Sequence, residues 1–177
     1  APPWYFDPEA NVGIFHDLAG HGIDQIRWLT GAEYVGVHAL GTLKRHTVPP
    51  RRLEMDHAQA SFQLSNGSLA LLTADWLTPK GAKSWGDTRF ILMGAEGSAH
   101  LRAYAEDHVL VVSNRKGVYE PEMPPDRNNI FVQNMIEALS RGEEGLVTTA
   151  DVLAVAKAGI TAEQSARRGG EFLKIEA

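Results

Sequence analysis

Four side chains in one short stretch could share a piece of chemistry: Asp17, His21, Asp24 and Trp28, spaced by four, three and four residues. On a helix, which turns about 100° per residue, these positions fall within an arc of roughly 60°. A carboxylate one turn from an imidazole can hydrogen-bond to it, which orients the ring, selects its tautomer and favours its protonated form. Such a pair can move a proton, so Asp17 and His21 are the candidate catalytic residues and Asp24 a candidate substrate contact. The same spacing also suits a solvated helix surface carrying an incidental charged pair. Gly20 and Gly22 each weaken a helix by about 1 kcal/mol relative to alanine. That cost is easier to understand where backbone or a ligand must come close.

Other candidates stand apart from this row. His16, Asp17, His21 and Asp24 include ligand types used by zinc and iron, but His16 sits about 100° from Asp17 on the wheel. No HExxH-like pair accompanies them, and no metal is expected. His38, His46, His57, His100 and His108 are scattered singly and read as surface or satisfied histidines. Trp4, with Tyr5 and Phe6 beside it, could line a ligand cleft; Lys80, with Lys83 in the loop after Trp76, could meet an anion. Trp4 and Lys80 therefore join Asp24 as candidate substrate-binding residues.

The element that must position the row is a helix over GIFHDLAGHGIDQIRWLTG, with Phe15, Leu18, Ile23, Ile26 and Leu29 on its broad opposite side and Gly31 as its left-handed stop. Strands follow: EYVGVHALGTLK, broken by Pro49 and Pro50, then a hairpin of HAQASFQL and SLALLTADWL around Asn66-Gly67, where a tight I′ turn is expected. FILMG and SAHLRAY pair across a short Ala-Glu-Gly link, and DHVLVVS adds another strand. Residues 119–129, with Pro121, Pro124 and Pro125, read as a loop or crossover.

The chain then returns to helix. IFVQNMIEALSRG carries Ile130, Phe131, Met135, Ile136 and Leu139 at helical spacing and ends at Gly142. Thr148 or Thr149 caps a last helix, with Asp151 in its first turn and Val152, Leu153, Val155, Ile160 and Ala162 running toward Arg168. Gly169 and Gly170 release a short strand, FLKI. The order predicts a single α+β domain over residues 1–177: two layers, a large open and mostly antiparallel (mixed) sheet, and helices on one face. The other face is expected to meet another domain or subunit.

Composition narrows the classes. A chain of 177 residues with 44% hydrophobic content can bury a core without disulfide or metal. A formal net charge of -5 with scattered basic residues argues against a nucleic-acid partner. Zero cysteines exclude a thiol nucleophile and fit a cytoplasmic location. No apolar run is long enough to span a membrane, and APPWYFDPEANVG lacks the pattern of a signal peptide; it reads as the middle of a longer chain. No GxGxxG turn, P-loop or GxSxG elbow is present.

Gly13 to Gly31 resembles the helix of form G-x-x-x-D-x-x-x-H-x-x-D-x-x-x-W-L-x-G in the C-terminal domain of the glucose-fructose oxidoreductase, inositol dehydrogenase and MocA family. Supporting pieces are N-G-S-L-A-L-L-T-A-D-W from Asn66, G-A-E-G-S-A-H-L from Gly94, and Phe131, Thr149-Ala-Asp151-Val-Leu and Ser165-Ala near the end. The resemblance implies an N-terminal Rossmann domain, absent from this chain, that binds NAD or NADP, and an open sheet that makes homo-oligomer contacts. It implies hydride transfer between a sugar or polyol carbon and the nicotinamide, with His21 as the proton-transferring residue and Asp17 as its orienting or relay partner. The family's catalytic lysine belongs to the Rossmann domain and has no counterpart here; two departures stand out, the glycine-rich start of the family helix reduced to Asn11-Val12-Gly13 and loops of substrate identity that match no family pattern. A non-catalytic binding or assembly module of the same fold, and a metal-dependent hydrolase or isomerase, are the competing classes.

Overall fold

The computed structural model describes residues 3–7, 9–48, 53–84, 86–103, 108–123 and 130–176. Among them the backbone forms two compact units, Ala1–Leu77 with Phe131–Ala177, and Thr78–Ile130. The α+β class expected from the sequence is the class observed. The strands expected in one large sheet are distributed over two sheets of four, and every pairing among the described residues is antiparallel.

In the first unit β1 (Tyr34–Thr42), β2 (His57–Leu64), β3 (Leu69–Asp75) and the short β8 (Leu173–Lys174) lie in the order β3-β2-β1-β8. Strict alternation decides which face is buried. Ala58, Ala60, Phe62 and Leu64 are buried while Gln59, Ser61 and Gln63 between them are exposed. On the buried face lie helices α1 (Ile14–Asp17), α2 (Ala19–Thr30) and α4 (Thr149–Arg167), whose Phe15, Ile23, Ala158 and Ala162 complete the core. Burying each phenylalanine contributes about 2–3 kcal/mol. The opposite face carries Leu40, Leu69 and Leu71, all exposed.

The expected first helix is divided at Leu18, whose backbone stays right-handed (φ -91°, ψ -48°). It stops at Gly31, which is left-handed (φ 62°) and donates its N–H to the Arg27 carbonyl. The hairpin forms where expected, but its turn is not the two-residue I′ type. The Gly67 N–H bonds to the Leu64 carbonyl, which puts Ser65 and Asn66 at the centre and leaves Gly67 (φ 84°) as a left-handed residue after them. Thr148 rather than Thr149 caps α4, in a reciprocal capping box with Asp151.

The buried face of α4 is made of small residues, Ala158, Gly159, Ala162 and Ser165, with Glu163 among them; Val152, Leu153 and Ile160 are exposed. Close helix contact is the reason. A Cβ on Gly159 would lie 3.1 Å from the Phe15 carbonyl oxygen, and one on Gly13 (φ 93°) would lie 2.3 Å from the Glu163 carboxyl carbon. A Cβ on Gly22 would meet the tip of the Leu72 side chain at 2.7 Å, whereas Gly20 has open space around it.

Helix α3 (Ile130–Ser140) forms where expected and buries only Ala138; Ile130, Phe131, Met135, Ile136 and Leu139 are exposed. The second unit is a meander of β4 (Thr88–Gly94), β5 (Gly97–Ala103), β6 (His108–Ser113) and β7 (Gly117–Tyr119), the last not expected from the sequence. Asp87 accepts hydrogen bonds from Arg102 and Arg89, which face each other across β4 and β5, and these hold its carboxyl below the usual range. Of the expected crossover, residues 120–123 are irregular, while 124–129, like Pro49 and Pro50, lie outside the described residues. No described helix is long and apolar enough to cross a membrane.

Asp56, just before β2, is fully buried and accepts the backbone N–H groups of Lys44 (2.8 Å), Arg45 (2.7 Å) and His46 (2.9 Å). Burial alone would raise its pKa; the N–H bonds outweigh burial and lower it. Because the native value is depressed, this stabilisation is present above the unfolded carboxyl pKa of about 4 and is lost as pH falls through the native value. Asp56→Ala is expected to cost on the order of 3 kcal/mol in urea denaturation at pH 7, and Asp56→Asn to lose less stability than wild type between pH 7 and pH 3. A second pair tests the helix contact: Gly13→Ala should destabilise by about 2 kcal/mol or more, while Gly20→Ala should stabilise by about 1 kcal/mol, both read as shifts in urea midpoint.

Candidate active site

The helix face is arranged as the spacing predicts. Asp17, at the end of α1, and His21, in the first turn of α2, are exposed, Asp24 is half-buried and Trp28 is 80% exposed. Phe15 and Ile23 point the other way and are buried completely, with Leu18 and Ile26 packed beside them. Leu29, expected on the buried side, is half exposed near the helix end.

Asp17 has a partner that the spacing does not suggest. The Tyr5 hydroxyl donates to its Oδ2 at 3.1 Å. Tyr5 belongs to a 3₁₀ turn, Pro3–Phe6, and its ring meets those of Trp4 (5.8 Å) and Trp76 (5.3 Å) edge to face. Burial first, then the Asp17 charge and the hydrogen bond to it, push the phenol well above its ordinary value. At neutral pH Tyr5 is therefore a donor and Asp17 an acceptor. The Asp17–His21 hydrogen bond that their spacing allows is not formed: the carboxylate is taken by Tyr5, and among the described residues the His21 ring has no hydrogen-bond partner.

Asn11 ties the aromatic turn to the helix. Its side-chain amide donates to the Tyr5 carbonyl at 2.5 Å, and its Oδ1 accepts the Gly13 N–H at 2.8 Å. The Asn11-Val12-Gly13 departure from the family pattern thus has a local purpose, an Asx turn that fixes where the helix starts. On the far side, Glu163 of α4 accepts the Phe15 N–H at 3.3 Å, one of the donors that a helix start leaves free.

The structure thus gathers Asp17, Tyr5, Trp4 and Trp76, with His21 and Asp24 one and two turns further along. Trp4 is about half exposed beside Tyr5. Lys80 belongs to the second unit, where it is exposed. Tyr5, Asn11 and Glu163 were not singled out for these roles by sequence; the available signals were an aromatic triplet, an Asn two residues before a helix-opening glycine, and one acidic residue in a run of small ones.

Among the described residues no group of three or more His, Asp or Glu is placed to hold a metal ion. A dinucleotide does not fit them either. Every described pairing is antiparallel, and no strand passes through a glycine-rich turn into a helix, the arrangement that receives a pyrophosphate.

Solved structures share this fold. An oxidoreductase domain protein from Kribbella flavida is 18% identical with a TM-score of 0.84, over 100% of this chain and 54% of that one. Levoglucosan dehydrogenase in complex with NADH is 19% identical with a TM-score of 0.84, over 98% and 53%. UDP-N-acetylglucosamine 3-dehydrogenase from Acidithiobacillus ferrooxidans is 19% identical with a TM-score of 0.73, over 92% and 50%. The chain spans about half the length of these structures. A comparison with curated proteins found no match. The GFO/IDH/MocA C-terminal domain matches residues 1–100, more than half of the chain. With the helix motif, the α+β fold and this match in agreement, the chain belongs to the GFO/IDH/MocA C-terminal domain family.

Proposed function

We propose that residues 1–177 are the substrate-binding and oligomerising domain of an NAD(P)-dependent oxidoreductase acting on a sugar, polyol or related CH–OH compound. His21 is the proton-transferring group and Asp17 its orienting or relay partner. The observation that carries the reading is the exposed helix face on which an unpaired imidazole stands one turn from a carboxylate that is itself fixed by Tyr5. The names of two structural neighbours, both dehydrogenases of carbohydrate compounds, support the substrate class.

NAD or NADP would be held outside this chain, by a Rossmann domain. When bound, such a cofactor accepts or supplies hydride. The residues of this chain handle the hydroxyl group: His21 takes its proton during oxidation and returns it during reduction, with Asp17 as its orienting or relay partner. Trp4 offers a ring against which the C–H face of a sugar packs, and Asp24 accepts from a hydroxyl. The exposed Leu40, Leu69 and Leu71 support a second copy of the protein against the outer face of the first sheet.

In the full-length protein, His21→Ala is expected to lower kcat by about 10²- to 10⁴-fold, the usual contribution of a general acid-base group. Steady-state kinetics on a panel of sugars and polyols with NAD or NADP measures it, and unchanged turnover would remove His21 from the role.

A further inference from the structure

We propose that Glu163 is a positioning residue for this site: its carboxylate, projecting from α4, holds the turn of backbone from which Asp17 emerges. The inference rests on the reading of Asp17 and His21 as the proton-handling pair.

Glu163 is 3% exposed in a helix face otherwise made of alanine, glycine and serine. As a device for stability it is poorly built. Its Oε2 accepts one long hydrogen bond, from Phe15, and its Oε1 has no hydrogen-bond partner among the described residues. The nearest cation, Arg167, stands 3.7 Å from Oε1 and is gripped instead by Glu54, with Nη2 to Oε2 at 2.8 Å. A carboxylate buried on these terms loses more in hydration than such contacts return. Burial, the largest influence on it, raises its pKa.

What the carboxylate does supply is place. It lies flat against Gly13, where a Cβ would stand 2.3 Å from its carboxyl carbon. From Gly13 two routes lead to the site. The Gly13 carbonyl accepts the Asp17 N–H at 3.0 Å, and the Gly13 N–H reaches Asn11, which holds the Tyr5 carbonyl. Both members of the Tyr5–Asp17 hydrogen bond therefore hang from the residue that Glu163 presses. A displacement of about 1 Å in a catalytic group can cost about 100-fold in rate.

The test compares Glu163→Ala, Glu163→Gln and Glu163→Asp in the full-length protein. Glutamine keeps the shape and an acceptor for Phe15; alanine and aspartate withdraw it. The expected result is a kcat lower by roughly 10- to 100-fold in Glu163→Ala with KM changed far less, and recovery to within about threefold in Glu163→Gln. A readout independent of turnover is the ionisation of Tyr5 in folded protein, taken as the ultraviolet difference from the matching Tyr5→Phe variant at about pH 11. Tyr5 should remain a phenol in wild type and Glu163→Gln and be largely ionised in Glu163→Ala. Should Glu163→Ala fail to fold, Glu163→Asp gives the same reading. A lowered melting temperature with Tyr5 ionisation and kcat unchanged in every folded variant would overturn the proposal. If Tyr5 responds as expected but His21→Ala leaves turnover intact, the positioning stands and the catalytic assignment falls.

Discussion

The start of helix α1 lies so close to α4 that two positions at the contact, Gly13 and Gly159, are glycines. Gly13 faces the Glu163 carboxyl at a distance that a Cβ could not share, and Gly159 faces the Phe15 carbonyl, where a Cβ at 3.1 Å would be tight. The contact constrains everything built upon it. It sets the height of the helix start above the sheet, and the helix start sets where Asp17 leaves the backbone. Through Asn11 it also sets where Tyr5 sits. Ala158 and Ala162, fully buried beside Gly159, extend the same requirement along α4. Larger side chains there would lift α1 and α2 off the sheet, which a core at crystal-like packing density does not tolerate cheaply.

The other end of the layer is tied by charge rather than by close packing. Arg27, in the last turn of α2, bonds to Glu33 just before β1 at 2.6 Å and to Asp151 in the first turn of α4. Asp151 is also the acidic member of the α4 capping box, and bonds from Thr148 and Arg27 bring its carboxyl down to about 2. Ser165 joins α4 to the sheet more directly, accepting the Ala39 N–H at 2.8 Å and donating to the Glu171 carbonyl at 2.6 Å. A buried Tyr34 hydroxyl donates to the Ile23 carbonyl at 2.7 Å, joining α2 to β1. Buried polar groups in this unit thus serve as joints between elements, and Glu163 differs from them in leaving one oxygen without a hydrogen bond.

Periodicity carried most of the fold and the exposed helix face, because both follow from which residues must leave water. Asp17, His21, Asp24 and Trp28 share a side whatever the rest of the chain does, and Ala58, Ala60, Phe62 and Leu64 share theirs. Less legible was anything that depends on distance between elements. The Val152, Leu153 and Ile160 positions of α4 looked like a core stripe by hydropathy, yet the close contact selects alanine and glycine instead. The Asn66-Gly67 turn has one more residue than its dipeptide suggests, since Ser65 enters the turn and donates its N–H to the Glu33 carbonyl. Partition of the strands into two sheets was not legible either, because the strand signals report alternation and not partners. The Tyr5–Asp17 bond spans twelve residues and a turn whose geometry is set by Asn11, so helical spacing pointed to His21 as the partner instead.

Exposure of the site has an energetic consequence for the proposed chemistry. In water two unit charges 4 Å apart attract by only about 1 kcal/mol, and at an effective dielectric of 20 by about 4 kcal/mol. An exposed His21 beside an exposed Asp17 therefore gains little from the carboxylate while the face stays wet. Tyr5 meets the same carboxylate from a partly buried position: burial first, then the Asp17 charge and the hydrogen bond to it, hold its phenol far above the ordinary pKa. For Asp17 to act on His21 with comparable strength, water must leave the helix face when substrate is bound. The aromatic rings of Trp4, Tyr5 and Trp76 line one flank of that face, and His21 is exposed on the other. Catalysis by this pair thus requires a second wall, supplied by substrate or by a partner domain, and the anchoring of α1 against α4 keeps the first wall in a fixed position to meet it.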